Sequence, residues 1–274
     1  MAPTRIPTEE DFAALSPDLT ISLSYPTPRE STTSILLLFH GLGDSDAPFA
    51  GFARNLTLPG VLGVSVRGTS PLPPALLGDS ESTVARHFHW GDDLTLAPGG
   101  GGELDPDPGF EKAQRLVLDR LVRETLVGKC GWTTRDLLLF GFGQGGSFAL
   151  GLASRLRGGG GGGGEGRVTE LTDDETEKEE EEEVFKGVVS VGGPLPASMI
   201  PSLSAREKAK TPVLVCRGSE SEAVDEDAVD VLREEFAEVK VVVWKRPDDG
   251  MPRSRDEVLP LMQFFAERLN TGWP

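Results

Sequence analysis

Four segments of the sequence carry polar and glycine residues at positions where chemistry could take place. The four segments are His40–Ser45, Gly141–Gly146, Arg217–Ser221 and Gly250–Arg253. The first three directly follow a short apolar run, and the fourth ends the loop that follows such a run, so all four are expected in loops after buried strands. Ligands of parallel α/β sheets bind at the carboxyl ends of the strands, which makes these loops the candidate functional positions.

The rest of the chain alternates between short apolar runs and longer amphipathic ones. The pattern predicts an edge strand at Thr20–Ser24 and further strands at Ile35–Phe39, Val61–Val66, Leu137–Phe140, Val188–Val191, Val213–Cys216 and Val239–Trp244. It predicts helices at Phe110–Leu126, Gln144–Leu156, Val224–Phe236 and Asp256–Leu269. Such alternation indicates an α/β fold with a mainly parallel sheet, helices on both faces and ligands at the carboxyl ends of the strands.

The four segments, in this order and each after a predicted strand, resemble motifs of the acyl-protein thioesterase and carboxylesterase branch of the α/β-hydrolases. That branch carries His-Gly-Leu-Gly-Asp-Ser, Gly-Phe-Ser-Gln-Gly-Gly at the nucleophile turn, Gly-Asp-x-Asp with the acid and Gly-Met-x-His with the base. The resemblance extends from about Ile35 to about Leu269 and implies an α/β-hydrolase fold. It also implies oxyanion-hole donors at the backbone of Leu42 and Gln144, and a pocket that includes His40, Gly41, Trp90 and Glu222.

The side chains that this mechanism needs are absent from the matching positions. Gly143 stands where the family has its nucleophilic serine, Ser221 where it has the acid and Arg253 where it has the base. Glycine has no hydroxyl, and an arginine guanidinium stays protonated and cannot accept a proton. The base of this fold follows the nucleophile along the chain, but none of the three histidines lies after residue 89. We therefore predict that the standard triad mechanism is absent.

Other reactive residue types have structural interpretations that we favour. His40 is expected to fix the oxyanion loop through its ring rather than to catalyse. His87 and His89, with Asp92 nearby, have the ligand types of a metal site, but no third cluster supports one and we predict no metal and no cofactor. Cys216 is expected to be buried and inert. The glycines of residues 141–146 lack the acidic residue that a dinucleotide site requires.

Charge and composition limit the classes of partner that the chain is expected to bind. Lys and Arg number 27 and Asp and Glu 44, which gives a net charge of −17 and disfavours nucleic acids and anionic membranes. Two cysteines cannot build a four-cysteine zinc site, and no apolar run is long enough to span a membrane. The first residues do not resemble a signal peptide, so a cytoplasmic or nuclear protein is the expectation.

One segment of extreme composition interrupts the pattern. Residues 158–183 open with seven glycines and contain eleven acidic residues against Arg167 and Lys178. Such a segment cannot recover the entropy lost on ordering, so the composition predicts a flexible surface insertion. We favour a solvated insertion over an acidic docking tail. Because the core pattern continues on both sides, residues 1–274 are interpreted as one domain.

Three functions follow from these observations. The first is a catalytically inactive hydrolase fold that binds a protein or an acyl or carbonyl ligand. The second is an active carboxylesterase, acyl thioesterase or phospholipase that uses a non-standard catalytic group. The third is an interaction protein whose working part is the acidic insertion. The oligomeric state is left open by the sequence.

Overall fold

The computed structural model describes residues 4–73, 87–94, 104–156, 183–201 and 207–269. Its strands are β1 (Ile21–Ser24), β2 (Ser34–Phe39), β3 (Val61–Val66), β4 (Ser70–Pro71), β5 (Phe88–His89), β6 (Leu137–Phe142), β7 (Gly187–Val191), β8 (Val213–Arg217) and β9 (Val239–Val243). Seven of them form one sheet in the order β1-β3-β2-β6-β7-β8-β9, and β4 pairs with β5. Only β1 runs antiparallel to its neighbour in that sheet. The prediction of a mainly parallel α/β sheet is confirmed.

The central strands are continuous apolar runs because helices cover both faces of the sheet. Every residue of β2, β3 and β7 is buried. A strand that is buried on both faces has no polar side to show to water, so its side chains do not alternate. Each predicted strand is present: the bounds of β3 match the prediction, and those of the others differ from it by one or two residues.

The helices are α1 (Glu9–Phe12), α2 (Asp46–Leu56), α3 (Glu111–Gln114), α4 (Gln144–Arg155), α5 (Glu226–Glu235) and α6 (Arg255–Leu269). A short 3₁₀ turn, Ala13–Leu15, continues α1, and α3 continues in π-helical geometry over Arg115–Lys129. Two buried clusters pack against opposite faces of the sheet. Residues Phe12, Leu15 and Val64 belong to one cluster, and Phe49 and Leu38 belong to the other.

Helix α2 is absent from the sequence prediction. Its sequence contains Pro48 and Gly51, which are typical of loops. Pro48 lies in the first turn, where a missing N–H costs no helical hydrogen bond, and Thr57 ends the helix in a left-handed conformation. Burial of Phe49, Ala50 and Leu56 against the sheet outweighs the weak helix propensity of the segment.

The strand order places one crevice at the carboxyl edge of the sheet. From β2 the chain moves to β3 on one side, whereas β6 joins β2 on the other side. Loops that leave two neighbouring parallel strands in opposite directions open a crevice, and ligands of α/β folds bind there. The loop after β2 and the turn after β6 are His40–Ser45 and Phe142–Gln144, so the fold brings these two segments together.

Two sequence predictions lie outside the described residues. The glycine- and glutamate-rich insertion falls there up to residue 182, and so does most of the glycine-rich stretch between Ala97 and Gly109. Among the helices that the structure describes, none is long and apolar enough to cross a membrane.

Candidate functional site

A sharp turn joins β6 to α4 at Gly143. The backbone of Gly143 has φ 50° and ψ −123°, a combination that side-chain-bearing residues rarely adopt. Its N–H donates to Val191 O at 2.8 Å, and its carbonyl accepts from Ser147 N at 3.0 Å. A Cβ atom built on Gly143 would have Gly41 Cα, 3.9 Å away, as its nearest neighbour. The turn therefore has the geometry of a nucleophile elbow and room for a side chain, but it carries no hydroxyl.

The neighbouring glycines are explained by close packing of backbone on backbone. A Cβ on Gly145 would lie 2.3 Å from His40 O and 2.4 Å from Phe39 O. A Cβ on Gly141 would lie 2.1 Å from Gly145 O. The glycine pattern of this turn therefore lets α4 start directly against the end of β2, and it needs no bound dinucleotide as its explanation.

His40 is a structural residue of the loop after β2. Its side chain is fully buried, Gly68 N–H donates to its Nε2 at 2.7 Å, and its Nδ1 lies 2.8 Å from Gly41 O. Because Nε2 accepts, the ring proton is assigned to Nδ1, which donates to Gly41 O. Burial lowers the pKa of His40, so the ring is neutral. Both ring nitrogens are occupied within the fold, and neither can take a proton from a substrate.

Trp90 lies in the core directly beneath this loop. Its side chain is fully buried, stacks on Phe148 with ring centres 5.0 Å apart and donates from Nε1 to His40 O at 2.8 Å. The Trp90 N–H donates to Gln144 Oε1 at 2.9 Å, so the strand-end loop and the start of α4 are tied together. The structure thus places Trp90 behind the candidate oxyanion loop, with its ring in the core.

Two residues that line the crevice beside Gly143, Leu42 and Gln144, have backbone N–H groups without an acceptor in the described residues. The Leu42 side chain is exposed, and Gly41 before it is buried against Phe142. A cavity of about 10 Å³ lies between Leu42 and Gln144, bordered by Asp93 and Asp105. That volume is about the size of one water molecule.

Ser221 and Asp249 connect the loops after β8 and β9. The Ser221 hydroxyl donates to Asp249 Oδ2 at 2.6 Å and accepts from Val224 N–H at 3.0 Å. The other carboxylate oxygen, Oδ1, accepts from Gly218 N–H at 2.7 Å. Asp249 also packs against Gly192, where an added Cβ would come within 2.6 Å of Asp249 Cβ. The carboxylate therefore joins the loops that follow β7, β8 and β9.

Arg253 points away from this junction. Its side chain is 67% exposed and donates to Asp248 Oδ2 at 3.0 Å. Arg246, which is largely buried, donates to the carbonyl oxygens of Gly250 and Met251. Desolvation raises the pKa of Asp248, but the charges of Arg246 and Arg253 outweigh this and lower it. Two arginines and a carboxylate thus fix the loop in which the resemblance implies a base.

The remaining candidate groups have identifiable roles or none. Glu222 is exposed, and Asp92 caps α3 by accepting from Glu111 N–H at 2.7 Å and Lys112 N–H at 2.8 Å.

Burial raises the pKa of the Cys216 thiol to about 12, which makes its thiolate inaccessible at neutral pH. His87 Nδ1 lies 2.6 Å from Gly43 O. In the part of the chain that the structure describes, no three metal-ligating side chains cluster.

Sequence reasoning missed Asp249. Its position within Asp248-Asp249-Gly250-Met251 suggests only a solvated turn. The sequence did contain one indication. The resemblance implies that an acid at position 221 contacts a base in the next loop, and Ser221 cannot make that acid–base contact. Asp249 supplies a different contact between the same two loops.

Comparison with known proteins agrees with this architecture. The phospholipase/carboxylesterase family matches residues 25–162, about half of the chain. An uncharacterised hydrolase from Schizosaccharomyces pombe is 31% identical over 125 residues, which are 44% of this chain and 46% of that protein. An uncharacterised hydrolase from Mycosarcoma maydis is 33% identical over 128 residues, 46% of this chain and 43% of that protein. Each match spans less than half of the relative.

Solved structures extend the likeness to nearly the whole fold. Acyl-protein thioesterase 2 from Zea mays aligns with a TM-score of 0.60 at 17% identity, covering 92% of this chain and 99% of that one. The esterase PE8 aligns with a TM-score of 0.61 at 18% identity, covering 91% and 99%. At such identities the likeness establishes a common fold, and the chemistry must be argued from this chain's own residues.

Proposed function

Since the chain belongs to the phospholipase/carboxylesterase family of α/β-hydrolases, and since Gly143 stands at the turn where that family has its nucleophile, we propose that it binds ligands without hydrolysing them by the serine mechanism. The ligand class is a protein partner or an acyl or carbonyl compound. A net charge of −17 disfavours nucleic acid. The fold is of the acyl-protein thioesterase and carboxylesterase type, and this supports an acyl or carbonyl compound as the ligand.

The observation that carries the proposal is the elbow geometry of a residue without a side chain. Gly143 has φ 50° and ψ −123°, and the space beside it is open. A serine in this position would present its hydroxyl to the crevice, whereas glycine presents nothing. The first step of acyl transfer, in which a hydroxyl oxygen attacks the carbonyl carbon, therefore has no attacking atom at this turn.

The lack of a base supports the same proposal. Arg253 is exposed and charged, and its guanidinium cannot accept the proton of a nucleophile. His40 is neutral, but hydrogen bonds within the fold occupy both of its nitrogens. A restored serine alone would consequently have no partner to activate it.

The unpaired backbone amides support binding. Leu42 and Gln144 line the small cavity where the resemblance implies an oxyanion hole, and neither N–H donates a hydrogen bond within the described residues. Backbone donors do not depend on side-chain type, so a carbonyl oxygen could be held between them after rearrangement of Leu42. Hydrolases deprived of their triad keep about 10³–10⁴-fold acceleration over water, which is too slow for a metabolic role.

The test is hydrolysis of short-chain p-nitrophenyl esters and of an acyl thioester by the purified chain. We expect no saturable turnover above buffer and above the Arg253→Ala variant, with an active serine esterase as the positive control. The triple variant Gly143→Ser, Ser221→Asp, Arg253→His shows how much chemistry the scaffold can regain. Saturable turnover by the unaltered chain, lost on changing one crevice residue, would refute the proposal.

One observation favours the alternative of an active hydrolase with a non-standard group. Ser221 Oγ lies 2.6 Å from Asp249 Oδ2, which pairs a hydroxyl with a carboxylate at the carboxyl edge of the sheet. In this alternative, the carboxylate would take the hydroxyl proton as the oxygen attacks an acyl carbon. It would give that proton to the leaving alcohol or thiol as the ester or thioester bond breaks, and water would then release the acyl group from Ser221. Turnover that vanishes in both Ser221→Ala and Asp249→Asn, with an acyl adduct mapped to Ser221, would establish it. Turnover that survives both substitutions would exclude this pair.

A further inference from the structure

A groove of about 570 Å³ lies beside the edge strand β1, and none of its lining residues belongs to the candidate site. One wall comes from α1 and its 3₁₀ turn, which contribute Phe12 and Ala13. The other wall comes from α2, which contributes Ala47 and Ala50. Helix α1 packs on one face of the sheet and α2 on the opposite face. A groove that touches both helices must therefore run along the edge of the sheet.

The backbone of β1 faces this groove with unpaired groups. Arg67 N–H donates to Thr20 O at 3.0 Å, and Ser22 lies opposite Ser65 in the antiparallel register. Hydrogen-bonded and non-hydrogen-bonded positions alternate in such a pair. The N–H and C=O groups of Ile21 and Leu23 consequently point away from β3 into the groove. Within the described residues, no hydrogen bond reaches these groups.

We propose that this groove binds an extended segment of another protein, which adds to the sheet as a strand next to β1. The outward backbone groups of Ile21 and Leu23 would pair with the backbone of that segment. Partly buried Ile21 and Leu23 side chains extend the apolar surface that its own side chains would cover. The shape selects a single strand, because a second copy of this chain would bring two helical walls of its own into the groove.

The charges of the two walls specify the chemistry of the segment. Glu9 borders the groove on the α1 side, and Arg54 borders it on the α2 side. Successive side chains of a strand point to opposite faces of the sheet. The complementary segment therefore alternates basic residues, directed at Glu9, with acidic or neutral residues, directed at Arg54. None of these residues belongs to the candidate site, so failure of the proposed function would leave this interaction unaffected.

The test uses the acetylated and amidated octapeptide Lys-Glu-Val-Thr-Lys-Glu-Val-Thr as a probe, followed by NMR of the whole chain. We expect the peptide to slow hydrogen exchange at Ile21 N–H and Leu23 N–H. A version N-methylated at alternate residues cannot pair as a strand and should bind at least about tenfold more weakly. This comparison needs no altered protein.

Variants separate backbone pairing from side-chain contact. Leu23→Pro removes an outward N–H and should weaken binding by about tenfold, whereas Leu23→Ala removes only the side chain and should weaken it by about threefold. Glu9→Arg should weaken binding of the alternating peptide and strengthen binding of its counterpart with glutamate in place of lysine. Asp256→Arg, an exposed change on α6, is the control and should affect neither peptide.

Four results would overturn the proposal. The first is equal binding of the plain and N-methylated peptides. The second is protection that falls on residues other than Ile21 and Leu23, and the third is no binding of any peptide. The fourth is protection of these two amides without peptide at high protein concentration, which would assign the edge to a second copy of the chain.

Discussion

The loops after β2 and β6 and the loops after β8 and β9 meet at one edge of the sheet, but they relate differently to the family pattern. The first pair has the sharp turn at Gly143 and two backbone N–H groups that donate no hydrogen bond within the described residues. The second pair carries Ser221 and Arg253 where the resemblance implies an acid and a base, and the Ser221–Asp249 hydrogen bond joins its two loops. The family match ends at residue 162, between the two.

The comparison shows that two kinds of residue have different reasons to be present. Backbone packing explains the elbow glycines, whereas catalysis requires acid and base side chains. Glycines at the elbow are needed for α4 to pack on β2, whatever the chain does chemically. Acid and base side chains contribute to stability only through the contact between their loops. The Ser221–Asp249 hydrogen bond provides such a contact, while Arg246 binds carbonyl oxygens within the loop after β9.

The largest expected effect comes from Gly145→Ala. The new Cβ would lie 2.3 Å from a carbonyl oxygen of His40, so the start of α4 must shift, and we expect a loss of about 3 kcal/mol in the free energy of unfolding. The same substitution at Gly51, where the nearest atom is 3.8 Å away, should gain up to about 1 kcal/mol from helix propensity. Urea denaturation measures both. Equal effects at the two positions would contradict backbone packing as the reason for the elbow glycines.

The second-largest expected effect on stability is at Asp249, which joins the loops after β8 and β9. Asp249→Ala leaves Gly218 N–H and the Ser221 hydroxyl without their carboxylate partner, and we expect a loss of about 2 kcal/mol. Glu220→Ala removes an exposed carboxylate from the loop after β8 and should change stability by less than about 0.5 kcal/mol. If both variants unfold at the same urea concentration, Asp249 does not hold the loops together.

Restoring the nucleophile should weaken the fold slightly. Gly143→Ser places a side chain on a residue with φ 50°, and we expect a loss of about 1 kcal/mol without gain of turnover. Gly143→Ala separates the strain of a Cβ from any effect of the hydroxyl, and its loss should be similar. A Gly143→Ser protein that is more stable than the unaltered chain would show that the elbow is not strained.

The smallest effect is a titration shift at His40. Burial lowers the pKa of His40, so the folded ring stays neutral while an unfolded histidine takes up a proton near pH 6.5. The contribution of His40 to stability therefore falls as the pH drops below about 6.5. Imidazole ¹⁵N resonances of the folded chain should show an unchanged Nδ1–H ring from pH 8 to pH 6.5. Protonation in that range would reopen His40 as a candidate base.

The sequence predicted the parts that depend on apolar patterning. Strand β2 is recognisable because Ile35–Phe39 are five successive apolar residues, and α6 because its apolar residues share one side. Helix α2 was missed because its Pro48 is tolerated only at a first turn, which requires knowing where the helix begins. Tertiary packing, rather than local helix propensity, therefore determines that the α2 segment is helical.

The features of the candidate site also differ in how far the sequence predicts them. The resemblance implied that Gly143 lies at a sharp turn between a predicted strand and a predicted helix, and the structure has a sharp turn there. The contact of Asp249 with Ser221 joins residues 28 positions apart, and no periodicity predicts it. Trp90 could be placed near the crevice by resemblance, but only the fold shows that Phe148 and Phe39 enclose its ring.

The most direct test of the central claim is the intact mass of the folded chain after incubation with a fluorophosphonate that labels activated serines. The absence of a nucleophile at Gly143 predicts an unchanged mass under conditions that fully label a serine esterase. A stoichiometric adduct, lost on unfolding the protein before incubation, would contradict the account and would identify by its position the nucleophile that this fold uses instead.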